Sequence, residues 1–397
     1  MLRRQGLSPY PSRTFVADQW LAGGNQVLFS AQLADTTNVW RIPVAPRTGR
    51  TGGPAERVTF GTGLEANATA QIVAGGGLRV AFSNLVSYVN LWSIPIDANR
   101  GKILGEVRRL TDGAAADAGP SLSGDGSRLI FESARSGEIR LRNLATGREQ
   151  PLASVGWTCV LSRDGSKLAY ALAEGQKTMV YTSTDNPNQA LYLLPLRPDG
   201  SPGTPQKLCE GCGAQVWDWS TDGRLLLAGD AEQGRLACVD PASGKVTDLF
   251  RHRGSVVARA RFSPDDRWIA FHERQKSPAR TFIIPFRDGA VPPESQWIAV
   301  TDGANSDGWP MWSPDGQLLY LVSDRDGFFC LWAQRLDGAT KRPAGGPFAV
   351  LHLHSARRSI TNMPTIWFGA ALTRDKLILN LGERTGNIWM AALAARN

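Results

Sequence analysis

The stretch of sequence that decides the fold reads Met311-Trp312-Ser313-Pro314-Asp315-Gly316-Gln317-Leu318-Leu319-Tyr320-Leu321-Val322-Ser323-Asp324-Arg325-Asp326-Gly327-Phe328-Phe329-Cys330-Leu331-Trp332-Ala333-Gln334-Arg335-Leu336. Pro314 presets the backbone of a tight turn, and Gly316 supplies the positive φ that other residues avoid. The apolar run between Gly316 and Asp324 has the aromatic and β-branched residues of a buried strand. A second Asp-Gly turn precedes another apolar run. The stretch therefore predicts three short strands joined by two tight turns.

The same unit recurs along the chain. Ser-x-Asp-Gly turns followed by apolar runs begin at Ser123, Ser162 and Ser220, and a Ser-Pro-Asp-Asp variant begins at Ser263. One such unit cannot bury both faces of its sheet in water, so copies must stack against each other. The pattern predicts an all-β fold, a single closed β-propeller of four-stranded antiparallel blades over residues 1–397.

The chain length predicts the number of blades. The 397 residues accommodate eight blades of about fifty residues each, with seven as the alternative. The last unit lacks a fourth strand and residues 1–16 have no unit of their own, so we expect that segment to close the ring and remove two open sheet edges. The predicted blades span about 17–63, 64–113, 114–154, 155–211, 212–253, 254–303, 304–354 and 355–397.

The charge of the chain excludes some classes of partner. Lys and Arg total 44 against 36 Asp and Glu, a formal charge of +8. The basic residues are scattered and form no stripe, so we expect no nucleic-acid partner. No apolar stretch approaches the ~20 residues of a membrane span, so we expect no membrane insertion. Arg3 and Arg4 are not followed by an apolar segment, so we also expect no cleavable signal peptide.

The cysteines are few and odd in number: Cys159, Cys209, Cys212, Cys238 and Cys330. This count argues against a disulfide framework. Cys209 and Cys212 form a Cys-x-x-Cys motif, but a zinc site needs four ligands and a redox motif expects a βαβ context, and neither is visible. We expect two small residues at a blade boundary, with a local disulfide under oxidation, and keep a zinc or redox role as the alternative.

The turns carry a family resemblance. Together with Leu-Thr-Asp-Gly at 110–113 and Val-Thr-Asp-Gly at 300–303, they resemble the WD-repeat-like propeller repeats of TolB. The C-terminal half is similar to TolB-like propellers that follow a protein kinase or winged-helix domain in soil bacteria such as acidobacteria. That likeness rests on residues 312–316, 324–327, 330–335 and 352–358.

The resemblance implies a non-enzymatic binding scaffold. TolB-type propellers bind proteins in the periplasm, so it implies a sensor or interaction module of a bacterial envelope or signalling system. It also implies an extracytoplasmic location, which the absence of a visible signal leaves open. We expect the protein to be a monomer.

The sequence offers little chemistry. It contains no Gly-x-Ser-x-Gly nucleophile elbow, no P-loop and no dinucleotide fingerprint after a strand. We therefore predict no catalytic residue, no cofactor and no enzyme activity. The alternative is a propeller-fold polysaccharide lyase or other glycan-active enzyme with a histidine-metal centre, an analogy at the level of fold. His352 and His354 would be its only close pair of histidines.

The densest polar cluster follows the opening stretch. His352 and His354 lie two apart on a predicted strand and so point the same way. The crossing that follows leads to the next blade and passes the mouth of the central channel. An arginine pair beside aromatic residues suits an anionic ligand or an acidic segment of a partner. The candidate binding residues at this channel mouth are Asp307, Trp309, His352, His354, Arg357 and Arg358.

The expected ligand of this mouth is a protein partner, an anionic small molecule or a glycan. The competing interpretation is that the two histidines are satisfied sheet residues and that the two arginines are solvated surface.

A calcium site is weakly suggested nearby. Asp324-Arg325-Asp326-Gly327 resembles the start of a calcium loop, but the downstream bidentate glutamate is missing. Turn chemistry explains both aspartates. We therefore predict no bound metal.

Four of the thirteen tryptophans share one position in their units: Trp40, Trp92, Trp332 and Trp389. We expect packing between blades to explain them. Trp157 and Trp309 are less readily explained by packing, and a glycan could use them.

Overall fold

The computed structural model describes residues 2–9, 15–21, 23–34, 36–74, 77–113, 116–134, 136–154, 157–173, 189–212, 215–252, 254–274, 278–364 and 367–393. Within these ranges the regular structure is β-strand, apart from 3₁₀ helices at Leu2–Gln5, Glu294–Gln296 and Ile360–Asn362. None of these helices is long enough or apolar enough to span a membrane.

The chain divides into two compact units, 1–87 with 384–397, and 88–383. The smaller unit contains six strands and parts of two long ones. These are β1 (Leu7–Pro9), β2 (Ala17–Trp20), β3 (Gln26–Leu33), β4 (Thr36–Pro43), β5 (Glu56–Arg57), β6 (Leu64–Ile72), the first half of β7 (Leu78–Asp97), and the last part of the C-terminal strand. Its core surrounds Phe29, Trp40 and Phe82.

The larger unit begins with the second half of β7, followed by β8 (Lys102–Ile103) and β9 (Arg108–Arg109). Five four-stranded antiparallel sheets come next, each with its strands in chain order. They are β10 (Asp117–Leu122), β11 (Arg128–Ser133), β12 (Glu138–Asn143) and β13 (Glu149–Ser154); β14 (Trp157–Leu161), β15 (Lys167–Ala173), β16 (Gln189–Pro195) and β17 (Gln206–Glu210); β18 (Gln215–Trp219), β19 (Leu226–Asp230), β20 (Arg235–Val239) and β21 (Val246–Arg251); β22 (Val256–Phe262), β23 (Trp268–Arg274), β24 (Arg280–Pro285) and β25 (Ile298–Ala299); and β26 (Asp307–Trp312), β27 (Leu318–Ser323), β28 (Cys330–Arg335) and β29 (Phe348–Leu351).

Three further strands end the chain: β30 (Arg358–Ser359), β31 (Ala370–Leu372) and β32 (Lys376–Leu393). β31 pairs with β32, and it also contacts β10 and β26, the innermost strands of the first and last four-stranded sheets. The innermost strands of consecutive sheets contact each other as well. The larger unit is therefore a closed ring of sheets around a central channel, as in a β-propeller.

The repeated turn has one hydrogen-bonding pattern. In the last four-stranded sheet, the Ser313 hydroxyl donates to Asp315 Oδ1 at 2.6 Å and accepts from the Leu318 N–H at 2.8 Å. Gly316 takes the left-handed conformation with φ 67°. In the first sheet, the equivalent bond from the Ser123 hydroxyl is the main reason that the pKa of Asp125 falls to about 2. The side chains of the motif thus satisfy the turn backbone and fix where each innermost strand ends.

The count of eight separate blades is not confirmed. Outside the five four-stranded sheets, the described strands form no further separate four-stranded sheet. The predicted second blade needs a turn between Ser83 and Asn90, but the residues there include no Gly, Pro or Asp, and β7 continues through them. Its second half lies beside β32, and the Ile96 N–H donates to the Asp375 carbonyl at 3.1 Å. The assignment of residues 1–397 to a single ring stays a prediction.

The N-terminal segment also pairs differently from the expectation. It was expected to complete the last unit, whereas β1 pairs antiparallel with β3, with Leu7 opposite Leu33. Leu7 is 2% exposed and packs in the cluster of Phe29 and Trp40. This pairing closes a short loop, which costs less chain entropy than reaching the C-terminal strand.

Candidate functional site

A cavity of about 230 Å³ lies at the end of the central channel where the innermost strands meet their turns. Six innermost strands, β10, β14, β18, β22, β26 and β31, each contribute to its wall. This is the opposite end of those strands from the crossings that the sequence singled out. Its position in the ring makes it the main candidate for a binding site.

One position of the repeat supplies much of the wall. It lies two residues before the first residue of each turn, next to an apolar residue that points into the core. Because side chains alternate along a strand, this position faces the channel. The cavity residues at this position are Ser121, Asp218, Arg261, Met311 and Ala371.

A bulge in the innermost strands precedes this position. Gly119, Arg259 and Trp309 have positive φ values of 59°, 59° and 53°, and each lies at a register shift of its strand. The extra residue of a bulge re-aims the side chains after it. The strained backbone of Trp309 is thus part of the repeat and does not by itself indicate a function.

The cavity is basic, with three arginines against one aspartate. Arg261 donates to the Trp217 carbonyl and lies 3.6 Å from Asp218. Arg163 and Arg374 are exposed cavity residues whose side chains have no hydrogen bond or ion pair with any described residue. Two unpaired guanidinium groups in one concave site favour binding of an anion.

Asp218 is the one acidic group of the wall. Burial raises its pKa, although the guanidinium groups of Arg261 and Arg163 and the Phe262 N–H, at 2.9 Å, oppose the shift. Even fully ionised, Asp218 offsets only one of the three arginine charges of the wall. Of the described residues, those that line the cavity include no histidine, lysine or cysteine beside Asp218. The arginines equip the cavity to bind an anion.

A second cavity, of about 200 Å³, lies beside β12 and β13. Its arginines are paired: Arg142 lies 3.0 Å and Arg140 3.5 Å from Glu149. Charges that satisfy each other offer less to a ligand than those of the central cavity.

The predicted histidine pair forms a separate cluster. Asp326 Oδ2 lies 2.9 Å from His352 Nδ1 and 2.9 Å from His354 Nε2. The Cys330 sulfur completes the group, and the four potential ligand atoms lie within 4.8 Å of one another. We call Asp326, Cys330, His352 and His354 the Asp326 cluster. The histidines were expected on a strand, but β29 ends at Leu351, so both follow it.

Asp326 is held as a carboxylate. Burial acts to raise its pKa, but hydrogen bonds from His354, the Phe328 N–H and His352 lower it below its ordinary value. Its partner in the predicted calcium loop, Asp324, accepts from the Ser306 N–H at 2.8 Å. The Asp324 side chain therefore bonds to the segment before β26 and not within its own turn, whereas Asp326 accepts from the Phe328 N–H and also contacts two histidines that the sequence did not connect with it.

The other predicted mouth residues each have their own partners. Asp307 is fully buried and accepts from Arg325 at 2.7 Å. Trp309 packs against His272 and Phe368. The structure thus joins the two histidines to each other but gives Asp307 and Trp309 separate surroundings.

The predicted arginine pair is likewise divided. The Arg358 guanidinium lies 4.2 Å from the Trp92 ring centroid, a cation–π contact. Arg357 is exposed. These two residues remain predicted binding residues, although one of them already has an aromatic partner.

Sequence reasoning missed Arg163, Asp218, Arg261 and Arg374. A signal for them exists: when the turns are aligned, Asp218 and Arg261 occupy the channel-facing position, and Arg163 and Arg374 directly follow the first turn residue. The central cavity could have been found by comparing repeats position by position.

The Cys-x-x-Cys motif is a disulfide between Cys209 and Cys212. A disulfide provides no thiolate for zinc. The remaining cysteines, Cys159, Cys238 and Cys330, are buried thiols.

The tryptophan expectation is met in part. Trp40 and Trp92 are each 7% exposed, and Trp332 is partly buried beneath Arg325. Trp389 is 53% exposed, so packing between blades does not explain it.

Comparison with known proteins finds likeness in structure only. No family model matches the chain, and no curated protein matches its sequence. A TolB protein from Agrobacterium tumefaciens is 20% identical with a TM-score of 0.49, over 66% of this chain and 89% of that one. TolB from Acinetobacter baumannii is 14% identical with a TM-score of 0.47, over 94% and 84%. An oligogalacturonate lyase in complex with manganese is 14% identical with a TM-score of 0.45, over 91% and 86%.

The strand order and contacts of the larger unit are those of a β-propeller, and TolB proteins are among its structural neighbours. At these identities the likeness concerns the fold alone.

Proposed function

We propose that the protein is a non-enzymatic binding scaffold that holds an anionic ligand, or an acidic segment of a protein partner, in the central cavity. The observation that carries this proposal is the pair of unpaired arginines, Arg163 and Arg374, facing one concave site beside Arg261. A guanidinium group binds a carboxylate with two parallel hydrogen bonds, each stronger than a bond between neutral groups. An anionic ligand is also what the sequence led us to expect. The proposed site, however, lies at the other end of the innermost strands from the predicted channel mouth.

An Arg163→Ala/Arg374→Ala variant tests the proposal. Both side chains are exposed and make no hydrogen bond with described residues, so the variant should fold. A fluorescein-labelled hexaglutamate peptide, followed by fluorescence anisotropy at low salt, is the probe. Loss of two charge-assisted contacts is expected to raise the Kd at least about tenfold, since such a bond contributes about 1.5–3 kcal/mol.

The matched control is Arg287→Ala/Arg342→Ala. It removes the same charge from two exposed loop residues of the larger unit that lie outside the cavity wall. Its Kd should stay within about twofold of wild type, because screened surface charges contribute little at a distance. Equal weakening in both variants would show a non-specific charge effect and contradict the proposal.

The channel mouth predicted from the sequence is tested by an Arg357→Ala/Arg358→Ala variant in the same assay. If only this variant loses peptide binding, the binding site lies at the channel mouth and the cavity proposal is wrong. The glycan-active alternative stays a prediction. Cleavage of polygalacturonate by the purified protein in the presence of Mn²⁺ would support it.

A further inference from the structure

The Asp326 cluster joins two parts of one sheet. Asp326 lies in the turn between β27 and β28, and Cys330 is the first residue of β28. His352 and His354 follow β29, which pairs with β28 so that Leu351 lies opposite Leu331. The pairing brings together residues that are 26 and 28 positions apart in the chain. The pairing of β28 with β29 thus holds the four side chains close together without a bound ligand.

The distances within the cluster suit a small cation. A tetrahedral zinc ion with bonds of about 2.0–2.3 Å has its ligand atoms roughly 3.3–3.8 Å apart. Here the carboxylate oxygen lies 2.9 Å from each imidazole nitrogen, and all four donor atoms are within 4.8 Å of one another. Changes of about 1 Å in these separations would bring the donors to tetrahedral spacing.

The chemistry of the donors selects the kind of metal. Two imidazoles, one thiol and one carboxylate are the nitrogen, sulfur and oxygen ligands that Zn²⁺ prefers. Calcium and magnesium bind oxygen ligands and would leave three of these four donors unused. The cluster therefore differs from the calcium loop that the aspartates resemble in sequence.

Neighbouring groups hold the donors in place. The Leu353 N–H donates to the Cys330 sulfur at 3.2 Å, and the Phe328 N–H donates to Asp326 Oδ1 at 3.3 Å. The Phe328 ring packs against the His354 ring at a tilt of 30°, with centroids 4.6 Å apart. Such outer contacts orient metal ligands and limit their freedom before binding.

We propose that Asp326, Cys330, His352 and His354 bind one divalent ion of the Zn²⁺ class. The ion would fasten the segment that follows β29 to the turn between β27 and β28. This site lies outside the central cavity wall and does not depend on the function proposed for that cavity.

The test uses tag-free protein freed of metal with a chelator, because a polyhistidine tag would bind the same ions. Titration with Zn²⁺ alone against a chromophoric chelator is expected to show one tight site per chain. An absorption titration with Co²⁺ should give the intense visible bands of tetrahedral cobalt, together with a near-ultraviolet band from sulfur to cobalt. These bands report geometry and ligand identity independently of any activity.

The variants separate the four-residue site from other binding. His352→Ala/His354→Ala should weaken Zn²⁺ binding at least about 100-fold, since it removes two of four ligands. The two side chains are 54% and 42% exposed, so the fold should persist. Cys330→Ser should abolish the sulfur-to-cobalt band, whereas Cys209→Ser/Cys212→Ser should leave it unchanged.

The proposal is overturned if wild type binds Zn²⁺ no more tightly than the double-histidine variant. It is also overturned if the band survives in Cys330→Ser or disappears in Cys209→Ser/Cys212→Ser. The last result would place the ion at the Cys-x-x-Cys motif.

Discussion

Replacement of Trp219 by alanine is expected to lower the free energy of unfolding of the larger unit by about 4 kcal/mol. Trp219 is 1% exposed and lies at the apolar position of the repeat, on the innermost strand β18. Its indole N–H donates to the Val160 carbonyl on the neighbouring innermost strand at 3.1 Å. The substitution creates a large cavity between two sheets and leaves a buried carbonyl without its donor.

Chemical denaturation followed by far-ultraviolet circular dichroism measures this loss. Trp389→Ala is the control, because its side chain is 53% exposed and its removal should change stability by less than about 1 kcal/mol. Comparable losses in the two variants would show that Trp389 packs between blades after all, as the repeat pattern predicts and the structure does not.

The stability of the protein is expected to fall by about 2 kcal/mol between pH 7 and pH 5 because of His272 alone. Burial, with the nearby Arg259 and Arg274, lowers the pKa of His272 to about 3. Its Nδ1 lies 3.3 Å from the backbone nitrogen of Trp309, and in the neutral form of the ring it accepts a hydrogen bond from that backbone N–H. The unfolded chain takes up a proton near pH 6.5 while the folded chain does not, so stability decreases as the pH falls through this range.

A His272→Asn variant isolates this contribution. The asparagine side-chain oxygen can accept a hydrogen bond from the backbone N–H of Trp309, but the asparagine side chain does not titrate. We expect the variant to lose about 2 kcal/mol less stability than wild type between pH 7 and pH 5. The aspartates of the repeated turns titrate at lower pH and are common to both proteins. Parallel pH profiles for the two proteins would show that His272 is protonated without penalty in the folded state.

The sequence predicts local structure well because the turns are local chemistry. The strands predicted on either side of Gly316 and after Gly327 correspond to β26, β27 and β28. The number of blades depends on long-range pairing, which local signals do not encode. β7 runs through the point where the predicted second blade should turn, and its second half lies beside the C-terminal strand.

In the candidate sites too, features that depend on neighbouring residues were predictable, whereas features that depend on long-range pairing were not. The spacing of His352 and His354 predicts that they point together, and both rings reach one carboxylate oxygen. Their partner Asp326 was assigned to turn chemistry, because nothing in the sequence shows that β28 and β29 pair in the register that joins them. The central cavity arises from six strands far apart in the chain, so its arginines look like scattered surface charge until the ring is closed.

Photo-cross-linking of a hexaglutamate peptide that carries a benzoylphenylalanine shows directly whether the central cavity binds an acidic segment. Benzophenone reacts preferentially with methionine side chains, and Met311 lies in the wall of the central cavity. If the central cavity binds the peptide, mass spectrometry locates the cross-link at Met311 or a neighbouring cavity residue, and Arg163→Ala/Arg374→Ala reduces its yield. Cross-links confined to residues outside the cavity wall, with unchanged yield in that variant, would contradict the cavity proposal.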